Sequence, residues 1–231
     1  MPDAEPAITH RPPAQDPAEL FEVVRADGTP TGQAKPRRAV HRDGDWHRSL
    51  HVWVAGFDRK FGAFLLFQQR STAKDTWGGK LDATVGGHFG FGEGLPEALR
   101  EVREEIGIEP DPAALRRLGT RVCANEAQAG IVDRELQEIL LLRDDRPLAD
   151  YRPNPAELAG LVRFRLPDLL EFLAGDDRRA YMVGDLRRPH GPNAVAASFG
   201  REAFIPNIDA YFYRVAIAAD AALRGERHVA V

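Results

Sequence analysis

The stretch Gly87–Ile108, GHFGFGEGLPEALREVREEIGI, places five glutamates and two arginines between a glycine-rich turn and a closing Gly-Ile. Pro96 suits a first helical turn, where its missing N–H is not needed, and Gly107 suits the left-handed position past a helix end. Successive helical residues rotate by about 100°. Glu97, Glu101, Glu104 and Glu105 then share one side, while Leu99, Val102 and Ile106 lie opposite with Ala98 at the border. One face packs on a core and the other gathers three or four carboxylates. Like charges at these spacings repel by about 0.2–0.5 kcal/mol per pair. Mg²⁺ or Mn²⁺ relieves that repulsion, because hard cations take carboxylate oxygens together with phosphate oxygens and water. A solvated acidic surface is the plainer alternative for the helix taken alone.

Around this helix the chain reads as strands. Leu20–Val24 and Thr31–Ala34 bracket Asp27-Gly28, which predicts an N-terminal hairpin. Leu50–Gly56 and Ala63–Gln69 are the clearest strands, with a turn over 57–62. Leu81–Val85 leads into the glycine-rich loop, and Ala114–Ala124, Glu135–Leu142 and Gly160–Arg165 follow the acidic helix. Leu166–Leu173 is expected as a helix with Pro167 in its first turn, and Phe204–Leu223 as a C-terminal helix. Residues 175–203, rich in Gly, Arg and Pro, are expected as a long loop. Arg178, Arg179, Arg187, Arg188 and Arg201 in it are expected to be solvated rather than a phosphate-binding lid. The order strand–helix–strand suits an α/β/α sandwich with a mixed sheet. Residues 1–18, with five prolines, read as a disordered tail. The expected organisation is tail 1–18, main domain 19–174, and loop plus helix extension 175–231. The run Gly90-x-Gly92-x-Gly94 lacks the spacing of a dinucleotide fingerprint, and no phosphate-loop Gly-Lys-Ser/Thr occurs.

Gly87, Glu93 and Arg100–Ile108 resemble the signature of the Nudix family of diphosphate hydrolases. That pattern is Gly, five residues, Glu, seven residues, then Arg-Glu-aliphatic-any-Glu-Glu-any-Gly-aliphatic. Here six residues, Gly94–Leu99, separate Glu93 from Arg100, so contact between Glu93 and Arg100 is the point for the structure to decide. The resemblance implies a Nudix-type α/β/α sandwich. It implies Glu101, Glu104 and Glu105 as metal ligands, with Arg100 and Glu93 holding loop to helix. It also implies attack by water on a phosphorus of a nucleoside diphosphate derivative or related small molecule. Residues Glu19 to about Arg143 further resemble the Nudix branch related to isopentenyl-diphosphate isomerase. The specific segments are His41-Arg42-Asp43-Gly44-Asp45-Trp46-His47-Arg48, Leu65–Arg70, Lys74–Asp82 and Gly86-Gly87-His88. By that resemblance His41, His47, His88, Asp133 and Glu135 correspond to a metal site, and Arg70 and Lys80 to substrate contacts. His, Asp and Glu donors suit Mn²⁺ or Zn²⁺. Isomerisation requires a cysteine just before the Gly-His pair, where this chain has Gly86. The single cysteine, Cys123, sits in an apparent strand as a small core residue. Hydrolysis therefore stands ahead of an isomerase-like activity and of a non-catalytic binding module.

Composition bounds the partners. A net charge of −4 excludes a general nucleic-acid binder, and 43% hydrophobic residues supply a sizeable core. One cysteine allows no internal disulfide, and no apolar run approaches a membrane span or a secretory leader. The expectations are a cytoplasmic location, a small diphosphate substrate with Mg²⁺ or Mn²⁺, no nucleic acid and no membrane. The apolar C-terminal helix is compatible with a homodimer.

Overall fold

The computed structural model describes residues 16, 18–74, 76–128, 130–175, 180–191 and 193–231. The expected tail over 1–18 lies, apart from Asp16 and Ala18, outside the described residues. A short hairpin, β1 (Leu20–Val24) and β2 (Pro30–Pro36), runs into helix α1 (Arg37–Asp43). The long strands β3 (Trp46–Asp58) and β4 (Gly62–Arg70) form the centre of a mixed sheet. Two short strands, β5 (Leu81–Asp82) and β6 (Val85–His88), lead to helices α2 (Leu95–Ala98) and α3 (Arg100–Ile106). Strands β7 (Leu115–Gln128), β8 (Ile131–Arg143) and β9 (Leu158–Arg165) follow, then α4 (Leu166–Leu173). The chain ends with β10 (Tyr181–Arg187), β11 (Val195–Gly200) and α5 (Tyr211–Leu223).

The main sheet runs β11-β10-β9-β4-β3-β8-β7, with β5 beside β4 and β6 beside β3. Among the described strands β3 and β8 form the parallel pair of this sheet, and their register sets His47 opposite Glu135. Side chains alternate across a strand, so His47, Ser49, His51 and Trp53 of β3 share one face. On that face Trp53, Phe67, Ile139 and Leu141 pack against α4 and α5 through Phe172, Phe212, Val215 and Ala219. On the other, Leu50, Val52, Val54 and Leu140 pack against Ala98, Val102 and Ile106 of α2 and α3. Helices on both faces of a mixed sheet give the expected α/β/α sandwich.

The structure corrects the sequence at four places. The acidic helix is two helices broken at Leu99, and Glu97 serves the N-terminus of the first: its carboxylate accepts from Gly94 N–H at 3.0 Å. The strand expected over 81–85 is two, pairing with different neighbours. Instead of a long loop over 175–203, β10 and β11 form a hairpin on the sheet edge. Met182, Leu186 and Phe199 are buried there. The C-terminal helix begins at Tyr211 rather than Phe204, where the Asn207 side chain accepts from Tyr211 N–H at 2.7 Å.

Candidate active site

Two clusters of titratable groups flank β6. The first lies on α3. Glu101 and Glu104 are half-buried, and Glu105 is 2% exposed. The turn before the helix approaches closely because it has no side chains: a Cβ on Gly87 would stand 2.4 Å from Glu101 Cγ. Gly86 N–H donates to Glu105 at 3.2 Å. Burial holds the Glu105 carboxyl well above its usual range, Lys74 opposes this, and Glu101 and Glu157 add to it. Glu157 is nearly buried and paired with Lys74.

The shortened spacing does not break the loop–helix contact. Arg100 donates to both Glu93 oxygens at 2.8 Å and to the Glu97 carbonyl at 3.0 Å. Glu93 also accepts from Gly90 N–H at 2.8 Å. The break at Leu99 restarts the helix so that Arg100 still points back at the loop.

The second cluster joins four elements on the cleft side of the sheet. His41 comes from α1, His47 from β3, His88 from β6, and Asp133 with Glu135 from β8. Two triads, His41–His47–His88 and His47–Asp133–Glu135, each hold their ligand atoms within 4.8 Å of one another. His47 Nδ1 lies 3.1 Å from the Asp45 carbonyl, so that nitrogen carries the proton and Nε2 faces the cluster with a lone pair. His88 Nε2 donates to Glu135 at 3.2 Å, and Arg37 donates to its Nδ1 at 3.3 Å. Phe21 of β1 stacks on His88 and His47 at 4.6 and 5.3 Å and seals them from above. Burial lowers the imidazoles, with Arg37 second for His41 and His88, to about 4 at His41 and about 3 at His88. Burial and then Glu135 push Asp133 up to about 8, while the histidines hold Glu135 low against its own burial.

This donor set fits a cation. His41 Nε2, His47 Nε2 and Asp133 Oδ1 are buried with no hydrogen-bond partner. Orphaned buried polar atoms cost about 1–3 kcal/mol each, and neutral imidazoles beside carboxylates are what a transition metal binds. A hydrogen bond within the local loop, such as His47 Nδ1 to the Asp45 carbonyl, does not account for these atoms.

A cleft of about 140 Å³ opens on the second cluster. Its walls include Arg37, Arg70, Trp77, Gly86, Gly87 and Arg121. The two glycines line the cleft and also touch the α3 carboxylates, Gly86 through its N–H on Glu105 and Gly87 through its close approach to Glu101. Arg70 is held by Asp82 at 3.1 Å and by the Thr76 carbonyl at 3.2 Å. Trp77 keeps a left-handed backbone, φ 52°, on the cleft wall, a conformation that persists where surroundings enforce it. Lys80 does not line the cleft; it donates to the Glu202 carbonyl. Nor do Arg187, Arg188 and Arg201 line it, while Arg178 and Arg179 lie outside the described residues. Cys123 reaches the cleft, but burial pushes its thiol up to about 11.

A family model of the NUDIX domain matches residues 45–183. The chain belongs to the Nudix family. It is 29% identical over 180 residues to an uncharacterised Nudix hydrolase of Clostridium acetobutylicum, covering 77% of this chain and 86% of that protein. It is 30% identical over 177 residues to Nudix hydrolase 3 of Arabidopsis thaliana, covering 75% of this chain but 22% of that longer protein. An isopentenyl-diphosphate Delta-isomerase of Rhizobium rhizogenes is 34% identical over 104 residues, covering 45% of this chain and 48% of that enzyme. The fold matches a crystal structure from Deinococcus radiodurans with a TM-score of 0.51 at 24% identity, over 68% of this chain and 89% of that one. The Nudix assignment thus agrees with the Gly87–Ile108 signature and with the observed sandwich. Nudix hydrolases generally use divalent metal ions. Among the described residues no helix is long and apolar enough to cross a membrane.

Proposed function

We propose that this Nudix protein hydrolyses a diphosphate linkage in a small molecule, using Mg²⁺ or Mn²⁺ at Glu101, Glu104 and Glu105. The observation that carries this reading is Glu105. It is a buried carboxylate set among Glu101, Glu157 and Lys74, and it accepts from the N–H of Gly86, which lines the cleft. A buried, crowded carboxylate is costly unless a cation shares it. His41, His47, His88 and Glu135, with Asp133, are proposed to hold a second cation.

The chain's residues divide the work. Arg37 and Arg70 line the cleft and meet the negative charge of a diphosphate. The Glu93–Arg100 contact fixes the loop against α3, so the carboxylates stand still while water attacks phosphorus and the bridging oxygen leaves. A divalent ion at such carboxylates supplies neutralisation of phosphoryl charge and polarises the attacking water. Isomerisation is not favoured. Gly86 offers no thiol, and Cys123 is held protonated on another strand.

The test is product release from nucleoside triphosphates, nucleotide sugars, dinucleoside polyphosphates and prenyl diphosphates, with Mg²⁺ and with Mn²⁺. Hydrolysis of one class by the wild type, lost in Glu105→Gln, is expected. Equal turnover by the two proteins would remove Glu105 from the mechanism.

A further inference from the structure

His51 sits four residues beyond His47 on the same face of β3, between the histidine–acid cluster and the aromatic core, and lines the cleft. Its Nδ1 lies 2.9 Å from the Tyr211 hydroxyl, which also lies 2.8 Å from Trp53 Nε1. An indole N–H only donates, so the Tyr211 oxygen accepts from Trp53. Tyr211 is 1% exposed. Its single hydroxyl proton therefore satisfies itself by donating to His51 Nδ1, since a second accepted bond would leave that proton buried and unused. The proton of a neutral His51 then sits on Nε2. Among the described residues no protein acceptor takes that N–H.

The relay is built rigidly. Tyr211 is the first residue of α5, fixed by the Asn207 side chain at 2.7 Å and preceded by Ala210 in a left-handed backbone, φ 52°. The Arg121 guanidinium lies 4.2 Å from the centre of the Tyr211 ring and is tied to Asp209 at 2.8 and 2.9 Å. Burial, with Arg121 and Arg70 assisting against Asp82 and Glu135, lowers the His51 imidazole and keeps it neutral. Both arginines already satisfy carboxylates, Arg70 with Asp82 and Arg121 with Asp209. The histidine offers this wall a further N–H, on a ring nitrogen from which no described residue accepts.

We propose that His51 presents Nε2–H to the cleft as a neutral hydrogen-bond donor to a phosphoryl oxygen of the bound diphosphate, its tautomer fixed by the Trp53–Tyr211 relay. This rests on the diphosphate reading of the cleft but not on turnover. It makes His51 a substrate-binding residue and Tyr211 a positioning residue.

The test uses the full chain with Mg²⁺ and methylenediphosphonate, a diphosphate analogue whose bridge water does not cleave. Calorimetry gives its affinity for wild type, His51→Ala, His51→Gln and Tyr211→Phe, and nitrogen NMR of histidine-labelled protein reads the His51 tautomer. Loss of a hydrogen bond to a charged acceptor weakens binding by about tenfold or more, so His51→Ala is expected to lose about that much. His51→Gln, which keeps a side-chain N–H at similar reach, is expected to retain most of the affinity. Wild-type His51 is expected to be protonated on Nε2 and to respond on ligand addition, and Tyr211→Phe to show mixed tautomers and intermediate affinity. Wild-type affinity in His51→Ala would overturn the proposal, as would a proton on Nδ1 or a His51 resonance unmoved by the analogue. Hydrolysis that survives in Glu105→Gln would instead count against the proposed reaction and leave the His51 result standing.

Discussion

Glu105 and His47 are both almost fully buried, and both have chemistry that burial alone does not explain. If Glu105 shares a cation, Glu105→Gln is expected to lower kcat by about 10²–10³-fold. The melting temperature should not fall, because the change removes a buried charge. Steady-state kinetics beside a thermal melt check both. His47→Ala is expected to remove the second cation while leaving the α3 site loaded, read as metal per chain after dialysis. Cys123 makes the opposite case. With its thiol near 11, the thiolate fraction at pH 8 is small, so alkylation should be slow and quicken about tenfold per pH unit up to that value. Cys123→Ala is expected to keep hydrolysis, and fast labelling at pH 7 would contradict the raised thiol. The sequence showed the five members of the histidine–acid cluster by resemblance. It did not show His51, because that residue lies in no motif and gains meaning only from a neighbour far along the chain, Tyr211.

At the level of elements, the loop–helix unit Gly86–Gly107 depends on two kinds of close contact. Arg100→Ala removes the donors that Glu93 accepts, and is expected to lower both kcat and melting temperature, since one change loosens the carboxylates and frees the loop. Gly87→Ala places a methyl 2.4 Å from Glu101 Cγ, so the Glu101 carboxylate must leave its position; activity is expected to be lost with most secondary structure retained by circular dichroism. Elements with one strong local signal were readable. Leu20–Val24 and Leu166–Leu173 occur at the expected residues, the one set by the following Asp27-Gly28 turn, the other by Pro167. Elements whose signal is tertiary were not. Helix α1 ends on a left-handed Gly44 and carries His41, yet its polar sequence shows little helical periodicity. The β10–β11 hairpin was hidden by Gly, Arg and Pro, although Met182 and Leu186 alternate inward as a half-buried strand requires.

On the scale of the whole molecule, the sandwich divides its labour between faces. The α4–α5 face supplies an aromatic core, in which Phe67 meets Trp53, Phe164, Phe204 and Phe212 edge-on within 4.9–5.6 Å. The opposite face seats the carboxylates on α3, which touch Gly86 and Gly87 of the cleft wall. Phe212→Ala is expected to cost about 3–5 kcal/mol of stability, read by denaturant unfolding, and to impair the cleft as well, because α5 also carries Tyr211. The central claim, hydrolysis by water at the Glu101–Glu104–Glu105 site, is tested most directly by turning over a cleaved diphosphate in water labelled with heavy oxygen. Mass spectrometry of the products should find one labelled oxygen on a phosphate product with the wild type, and labelled product forming about 10²–10³-fold more slowly with Glu105→Gln. Unlabelled products, or labelled product formed at the wild-type rate by Glu105→Gln, would contradict it.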